Sequence, residues 1–376
     1  MNAERLHAIV VALRSEVEET AYPEHLQGLV NGLRAAVDTP NNPEPQNQIS
    51  SARQELQRVL SDAPSNDFSP AWHQHLEEMG VVDLLGEPLL QEIESILSAN
   101  EITPSAAGDE LQQISERVQA LVNALGEADR SLSFFRIGSE DLSPGEFEIG
   151  FMIPRKEVDN GLEELGKEFT ELKQIIGPFS ELAGENRPEV EVRSISSSDF
   201  QVFLMAAGPV AASFAYALDK LTSSYERIVH IRLMNRELAE KDKVPDEYLN
   251  PLSTYASGLV EADIEQIVEE VISRSKLVDE GRVNEIRTDL KRQLRRLAER
   301  IDHGYNVEVR AGALPEPDEE DEGAEVLDPA TKESLKTVLE AQRGIQYMNA
   351  TGKPLLSLDA PAEGEDGGDG GSSPAQ

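Results

Sequence analysis

Glu146-Phe147-Glu148-Ile149-Gly150-Phe151-Met152-Ile153 is the stretch on which the reading of the chain turns. Phe147, Ile149, Phe151 and Ile153 take alternate positions, with Glu146, Glu148 and Gly150 on the opposite face. Period two is the signature of a strand with one buried face. Pro154 ends it. Val158, Leu162, Leu165, Phe169, Leu172, Ile176, Phe179 and Leu182 then recur every three or four residues. That spacing predicts a helix with one apolar stripe, interrupted at Gly177-Pro178. Residues 189–194 alternate again, with Val190 and Val192 inward. After Ser196-Ser197-Ser198-Asp199, residues 200–205 are apolar on both faces apart from Gln201, as suits an inner strand. Gly208-Pro209 opens a long helix carrying Val210, Phe214, Leu218, Leu221, Tyr225 and Ile228. A last alternating run, Tyr305, Val307 and Val309, lies far downstream. The order β-α-β-β-α-β predicts an α+β fold: a ferredoxin-like core over residues 146–310, with residues 246–302 inserted before the final strand.

Working outward, residues 1–137 read as a helical amino-terminal domain. Ser69-Pro70 and Thr103-Pro104 mark helix starts, a capping residue followed by proline. The insertion reads as a helical hairpin. Asn250-Pro251 opens its first helix, and Asp279-Glu280-Gly281 separates it from a second carrying Val283, Ile286, Leu290, Leu294, Leu297 and Ile301. Residues 311–328 read as an acidic linker. Asp328-Pro329 starts a carboxy-terminal helix, and Pro354–Leu358 reads as a short strand, so 329–358 form one unit. Residues 359–376, rich in glycine, aspartate and serine, read as a disordered acidic tail.

The net charge of the 376 residues is −37, and no cysteine is present. Disulfides, thiolate metal sites and cysteine nucleophiles are therefore excluded. A strongly acidic surface repels phosphate backbones, which argues against general nucleic-acid binding. The first residues lack a basic segment followed by a long apolar core, so a cytoplasmic location is expected.

Phosphate-loop, dinucleotide, nucleophile-elbow and zinc-protease motifs are absent from the sequence. His73 and His75 flank Gln74 in a helical context, where positions two apart diverge, so no metal site and no cofactor are expected. The weak catalytic candidates are Glu148 and Asp199. Their places on the first strand and the central hairpin match those of metal-binding acids in palm-like nucleotidyl-transfer enzymes of the same strand order. Residues 200–218 run without a charge and are long enough to suggest a membrane-acting effector, but Gln201, Gly208-Pro209 and many small side chains favour a strand and a buried helix.

The favoured function is a non-enzymatic, oligomeric scaffold or adaptor, whose partner is another protein or a second copy. Leu290 and Leu294, one turn apart on the hairpin seam, are the expected contact residues. Beside them Arg287, Lys291 and Arg295 form a basic stripe, expected to be an ordinary solvated face or a seat for the acidic residues 314–328 or an outside partner. The palm-like enzyme and the membrane effector are the alternatives.

Overall fold

A computed structural model describes residues 3–39, 42–138, 142–158, 161–184, 190–196, 200–241, 250–275, 280–312, 327–348, 354 and 356. The first part of the chain is helical: α1 (Ala3–Thr20), α2 (Tyr22–Asp38), α3 (Glu44–Ser61), α4 (Pro70–Met79), α5 (Gly86–Ala99) and α6 (Pro104–Phe134). Proline stands in the first turn of α2, α3, α4 and α6, where a missing N–H costs nothing. Then follow β1 (Phe147–Met152), α7 (Leu162–Leu182), β2 (Glu191–Ser196), β3 (Gln201–Met205), α8 (Gly208–Lys241), α9 (Asn250–Arg274), α10 (Glu280–Asp302), β4 (Asn306–Ala311) and α11 (Pro329–Gln342). The strands form one sheet in the order β2-β3-β1-β4, every neighbouring pair antiparallel. The fold is α+β, mostly helical around this small sheet.

Phe147, Ile149 and Phe151 face α7 and α8 and enter the largest apolar cluster of the molecule. Phe214 of α8 meets Phe151 and Phe179 edge-on, at centroid distances of 6.0 and 5.1 Å. Ala211, Ala215 and Ala217 are buried along α8, so its backbone comes close to its neighbours. Residues 200–218 are thus a strand and a buried helix. Among the described residues no helix is long and apolar enough to cross a membrane. The helices α9 and α10 pack on one another, α10 also rests on α7, and both add their apolar stripes to the same cluster. The helices before β1 carry apolar clusters of their own.

Three local expectations change, and a fourth falls mostly outside the described residues. The first strand has no wet side, because all six residues of β1 are buried. Its second face is covered by α1 and α4, which sequence period alone cannot reveal. Next, α7 runs unbroken through Pro178, although an internal proline costs about 3 kcal/mol. Ile175, Ile176, Phe179 and Leu182 keep both halves of the helix on one core. Third, Val192 is 60 % exposed, because β2 is an edge strand that α7 does not fully cover. Last, the described residues of the stretch Pro354–Leu358 lie in no strand. Leu356 is held instead by its backbone N–H, which donates to Asp302 Oδ2 at 2.7 Å. Asp302 is buried and also accepts from the Tyr225 hydroxyl at 2.7 Å.

Phe151 has no exposed surface. Phe151→Ala is expected to destabilise the protein by about 3–5 kcal/mol, measured by urea or thermal unfolding. A variant that melts like the wild type would place Phe151 outside the core.

Candidate functional site

The second face of the sheet is polar and sealed. Glu148 and Gly150 of β1 share it with Phe203 and Gln201 of β3 and with Glu308 and Arg310 of β4. Helix α1 drives Arg5 into this face. The Arg5 guanidinium donates from Nη2 to Glu148 Oε1 at 3.1 Å, with side-chain exposures of 1 % and 0 %. It also stacks over the Phe203 ring, 3.4 Å from the centroid. Phe203 can lie there because the neighbour on β1 is Gly150: a Cβ at that position would meet Phe203 at 2.7 Å and Glu308 at 2.8 Å. Two more arginines approach Glu148, Arg193 at 3.5 Å from Oε2 and Arg310 at 3.5 Å from Oε1. One buried carboxylate therefore sits among three guanidinium groups. Burial of a charge is tolerated only with such pairing.

Polar anchors fix α1 so that Arg5 arrives in register. His7 places Nδ1 2.6 Å from the Ile137 carbonyl and Nε2 3.0 Å from Asp129 Oδ1. Both ring nitrogens face acceptors, a geometry that suits the imidazolium. The bond to Asp129 raises the His7 pKa above its usual value. Arg14 pairs with the same Asp129. At the other end of α1, buried Glu16 accepts from the Ser65 backbone at 2.7 Å and from its hydroxyl at 2.9 Å.

Helix α4 covers part of the rest of the face. The Ala71 N–H in its first turn donates to Glu308 Oε2 at 3.0 Å, so a strand carboxylate caps a helix distant in sequence. Ala71, Met152 and Phe203 form a small apolar contact beside this cap. His73 stacks on Tyr347, and the Tyr347 hydroxyl donates to Glu77 at 3.0 Å. His73 and His75 are held below the usual histidine pKa, chiefly by burial. A cavity of about 450 Å³ opens between α4, β4 and α11, lined in part by Phe68, Trp72, Arg310 and Leu339. Two of its charged groups are committed to the fold: Glu308 caps α4, and Arg310 pairs with Glu148.

Of the two carboxylates expected to act together, only Glu148 is among the described residues. Glu148 lies among the guanidinium groups of Arg5, Arg193 and Arg310. Asp199 lies outside the described residues. Among those described, no group of three or more His, Asp or Glu side chains is placed to hold a metal ion. Leu290 and Leu294 have no exposed surface and belong to the central apolar cluster. The basic stripe beside them is not bare. Arg287 pairs with Glu269, Lys291 with Glu265 and Glu261, and Arg295 with Glu261, all on α9. These pairs are solvent-facing and contribute about 0.2–1 kcal/mol each. Most of the acidic stretch 314–328 lies outside the described residues.

The uncovered surface is elsewhere. A groove of about 620 Å³ lies between α7 and the β2 end of the sheet, lined by Phe169, Leu172, Ile176, Val192, Ile195 and Leu204 among others. Val192 and Ile195 on its rim are 60 % and 50 % exposed. Sequence reading missed this groove by placing Val192 inward. The available signal was the short, serine-rich strand after the helix, which marks an edge.

Comparison of the chain with protein-family models, curated proteins and solved structures finds no match in any of the three.

Removing Arg5 leaves Glu148 buried without its closest partner. Arg5→Ala is expected to cost about 3–5 kcal/mol in urea unfolding. Arg5→Lys should recover only part of this, since an ammonium cannot stack on Phe203 as a planar guanidinium does. Wild-type stability in Arg5→Ala would contradict the clasp. His7 has the opposite pH sign from the two buried histidines. Its folded pKa is raised, so its contribution is complete below the unfolded value and is lost as pH rises through the folded one. The stability difference between wild type and His7→Gln should thus be larger at roughly pH 5.5 than at roughly pH 8.5, read from unfolding curves at both. Equal differences would remove the imidazolium from the anchor.

Proposed function

We propose that the protein is a non-enzymatic, oligomeric scaffold or adaptor, built as an amino-terminal helical domain on a ferredoxin-like core with an inserted helical hairpin. The observation that carries this reading is the groove beside β2, where apolar side chains stand in solvent along a strand edge that is unpaired among the described residues. Soluble chains rarely leave such an edge open without a use for it. The sheet order β2-β3-β1-β4 supports the ferredoxin-like description. Separate apolar clusters before β1 support the division into two domains.

The sealed face supports the non-enzymatic part. Glu148 is one of the two weak catalytic candidates, and its carboxylate is engaged by Arg5, Arg193 and Arg310. A carboxylate in that field has little affinity left for a metal cation. The partner surface moves accordingly, from the hairpin seam to the groove.

Sizing by light scattering tests this. A discrete species larger than the 41.3 kDa chain is expected. A strict monomer at every concentration would refute self-assembly.

A further inference from the structure

We propose that the groove is closed by a second copy of this chain, whose β2 pairs antiparallel with the first β2 across a two-fold axis. The proposal rests on the oligomeric reading above and supplies its surface.

The two edges of the sheet differ. Beyond β4, the Gln342 side chain donates to the Val309 carbonyl at 2.8 Å. Asn306 exchanges side-chain hydrogen bonds with the Met348 backbone, at 2.7 and 3.3 Å. That edge is occupied. Beyond β2, no strand is paired among the described residues. An open edge carries a row of backbone donors and acceptors that accept another strand.

The strand is self-complementary. Its register against β3 shifts between Val192 and Ser194, so Arg193 is the extra residue of a bulge. The bulge puts Val192 and Ile195 on the same face, both lining the groove. It also lets Arg193 reach across the opposite face to Glu148. Consider two copies of Glu191-Val192-Arg193-Ser194-Ile195-Ser196 laid antiparallel about the midpoint between Arg193 and Ser194. Val192 then meets the second copy's Ile195, and the reverse. Each charged residue meets a serine: Glu191 meets Ser196, and Arg193 meets Ser194. No like charges oppose one another, and the two exposed apolar side chains of the strand cover each other. Apolar pairs directly opposite are the favourable unit of sheet pairing.

The helix behind the strand has matching symmetry. A two-fold axis normal to the sheet brings α7 beside the second copy's α7, running antiparallel. Lys173 and Glu181 line the groove at equal distances in sequence from Gly177. Among the described residues Lys173 has no ion-pair partner, whereas Glu181 pairs with Arg282. The symmetry therefore brings the unpaired cation of one copy toward the carboxylate of the other. Gly177 is at the centre, and a Cβ there would have nothing within 4 Å. That is the open space a close helix approach requires.

The chain contains no cysteine, so engineered thiols report pairing without background. Val192→Cys and Ile195→Cys proteins are purified separately, then oxidised alone and after mixing. In the proposed register residue 192 lies opposite residue 195 of the second copy, at a cross-strand spacing of about 4.5–5.5 Å that a disulfide spans. Like residues lie roughly 10 Å or more apart, which a disulfide does not span. A covalent dimer is expected from the mixture and not from either protein alone. Val192→Lys/Ile195→Lys, changed only at exposed positions, should keep the wild-type circular dichroism and sediment as a monomer. A wild-type oligomer that survives the double lysine change, or a mixture that forms no covalent dimer, overturns the edge pairing while the oligomeric reading stands. A monomeric wild type overturns both.

Discussion

A carboxylate with no exposed surface must keep its charge balanced inside the protein, and Glu148 is balanced by Arg5 from the far end of the chain. Much of the molecule follows from that pair. It makes β1 a strand buried on both faces. It requires Gly150, since the ring that Arg5 stacks on crosses that position. It requires α1 to be held in place, and His7, Arg14 and Glu16 anchor it through Asp129 and Ser65. Arg193 and Arg310 complete the environment from β2 and β4, so three separate stretches of chain converge on the carboxylate of a fourth. A buried charged contact of this kind contributes little net stability compared with an apolar one, but it penalises every misdocked arrangement in which the charge is left alone. Its effect is to select one docking of the helices on the sheet.

The same cluster shapes the edge of the sheet. Arg193 points at Glu148 because β2 is bulged there, and the bulge rotates Val192 and Ile195 onto one face. The packing on one side of the sheet thus sets what is exposed at the rim of the other. A regular β2 would turn Val192 and Ile195 to opposite faces, and the groove would lose half of its apolar rim.

Much of the backbone plan was legible. Period-two runs located β1 and β4, and the three-four spacing located α7, α10 and the helices before β1, because each of those elements has a buried stripe. The order of elements held from β1 to β4. What the pattern could not carry was the identity of the second layer. A glutamate on an alternating strand reads as a wet position, and nothing near Glu148 in sequence indicates that Arg5 will cover it. The Arg5 pairing is long-range, and long-range polar pairs leave no periodic trace. For the same reason Leu290 and Leu294 read as a candidate seam: an amphipathic stripe specifies burial without specifying against what. In the fold it is met by α7 and α9. The stripe of Arg287, Lys291 and Arg295 looked bare because its acids lie on α9, 18 to 34 positions earlier in the chain. Val192 failed in the other direction. Its alternation was read correctly as core-facing, but an edge strand lacks the neighbour that makes a core-facing side chain buried.

The charge of the chain takes on a different meaning once these pairs are placed. Of the few cations, Arg5, Arg193, Arg300 and Arg310 turn inward, and Arg287, Lys291 and Arg295 are matched one by one on α9. The net −37 reflects an excess of acids, 71 Asp and Glu against 34 Lys and Arg, so many acids have no cation to match them. Such a surface repels a second copy of itself at long range, and the repulsion fades over a Debye length of about 10 Å at 0.1 M salt. A contact between copies must then form where acids are locally absent or already neutralised. The groove beside β2 meets that condition. Its lining is apolar apart from Ser180, Lys173 and Glu181, and Glu181 already carries Arg282. On a surface otherwise crowded with carboxylates, the open strand edge is also a place where the electrostatic penalty for approach is small, so apolar burial and backbone pairing decide the outcome there.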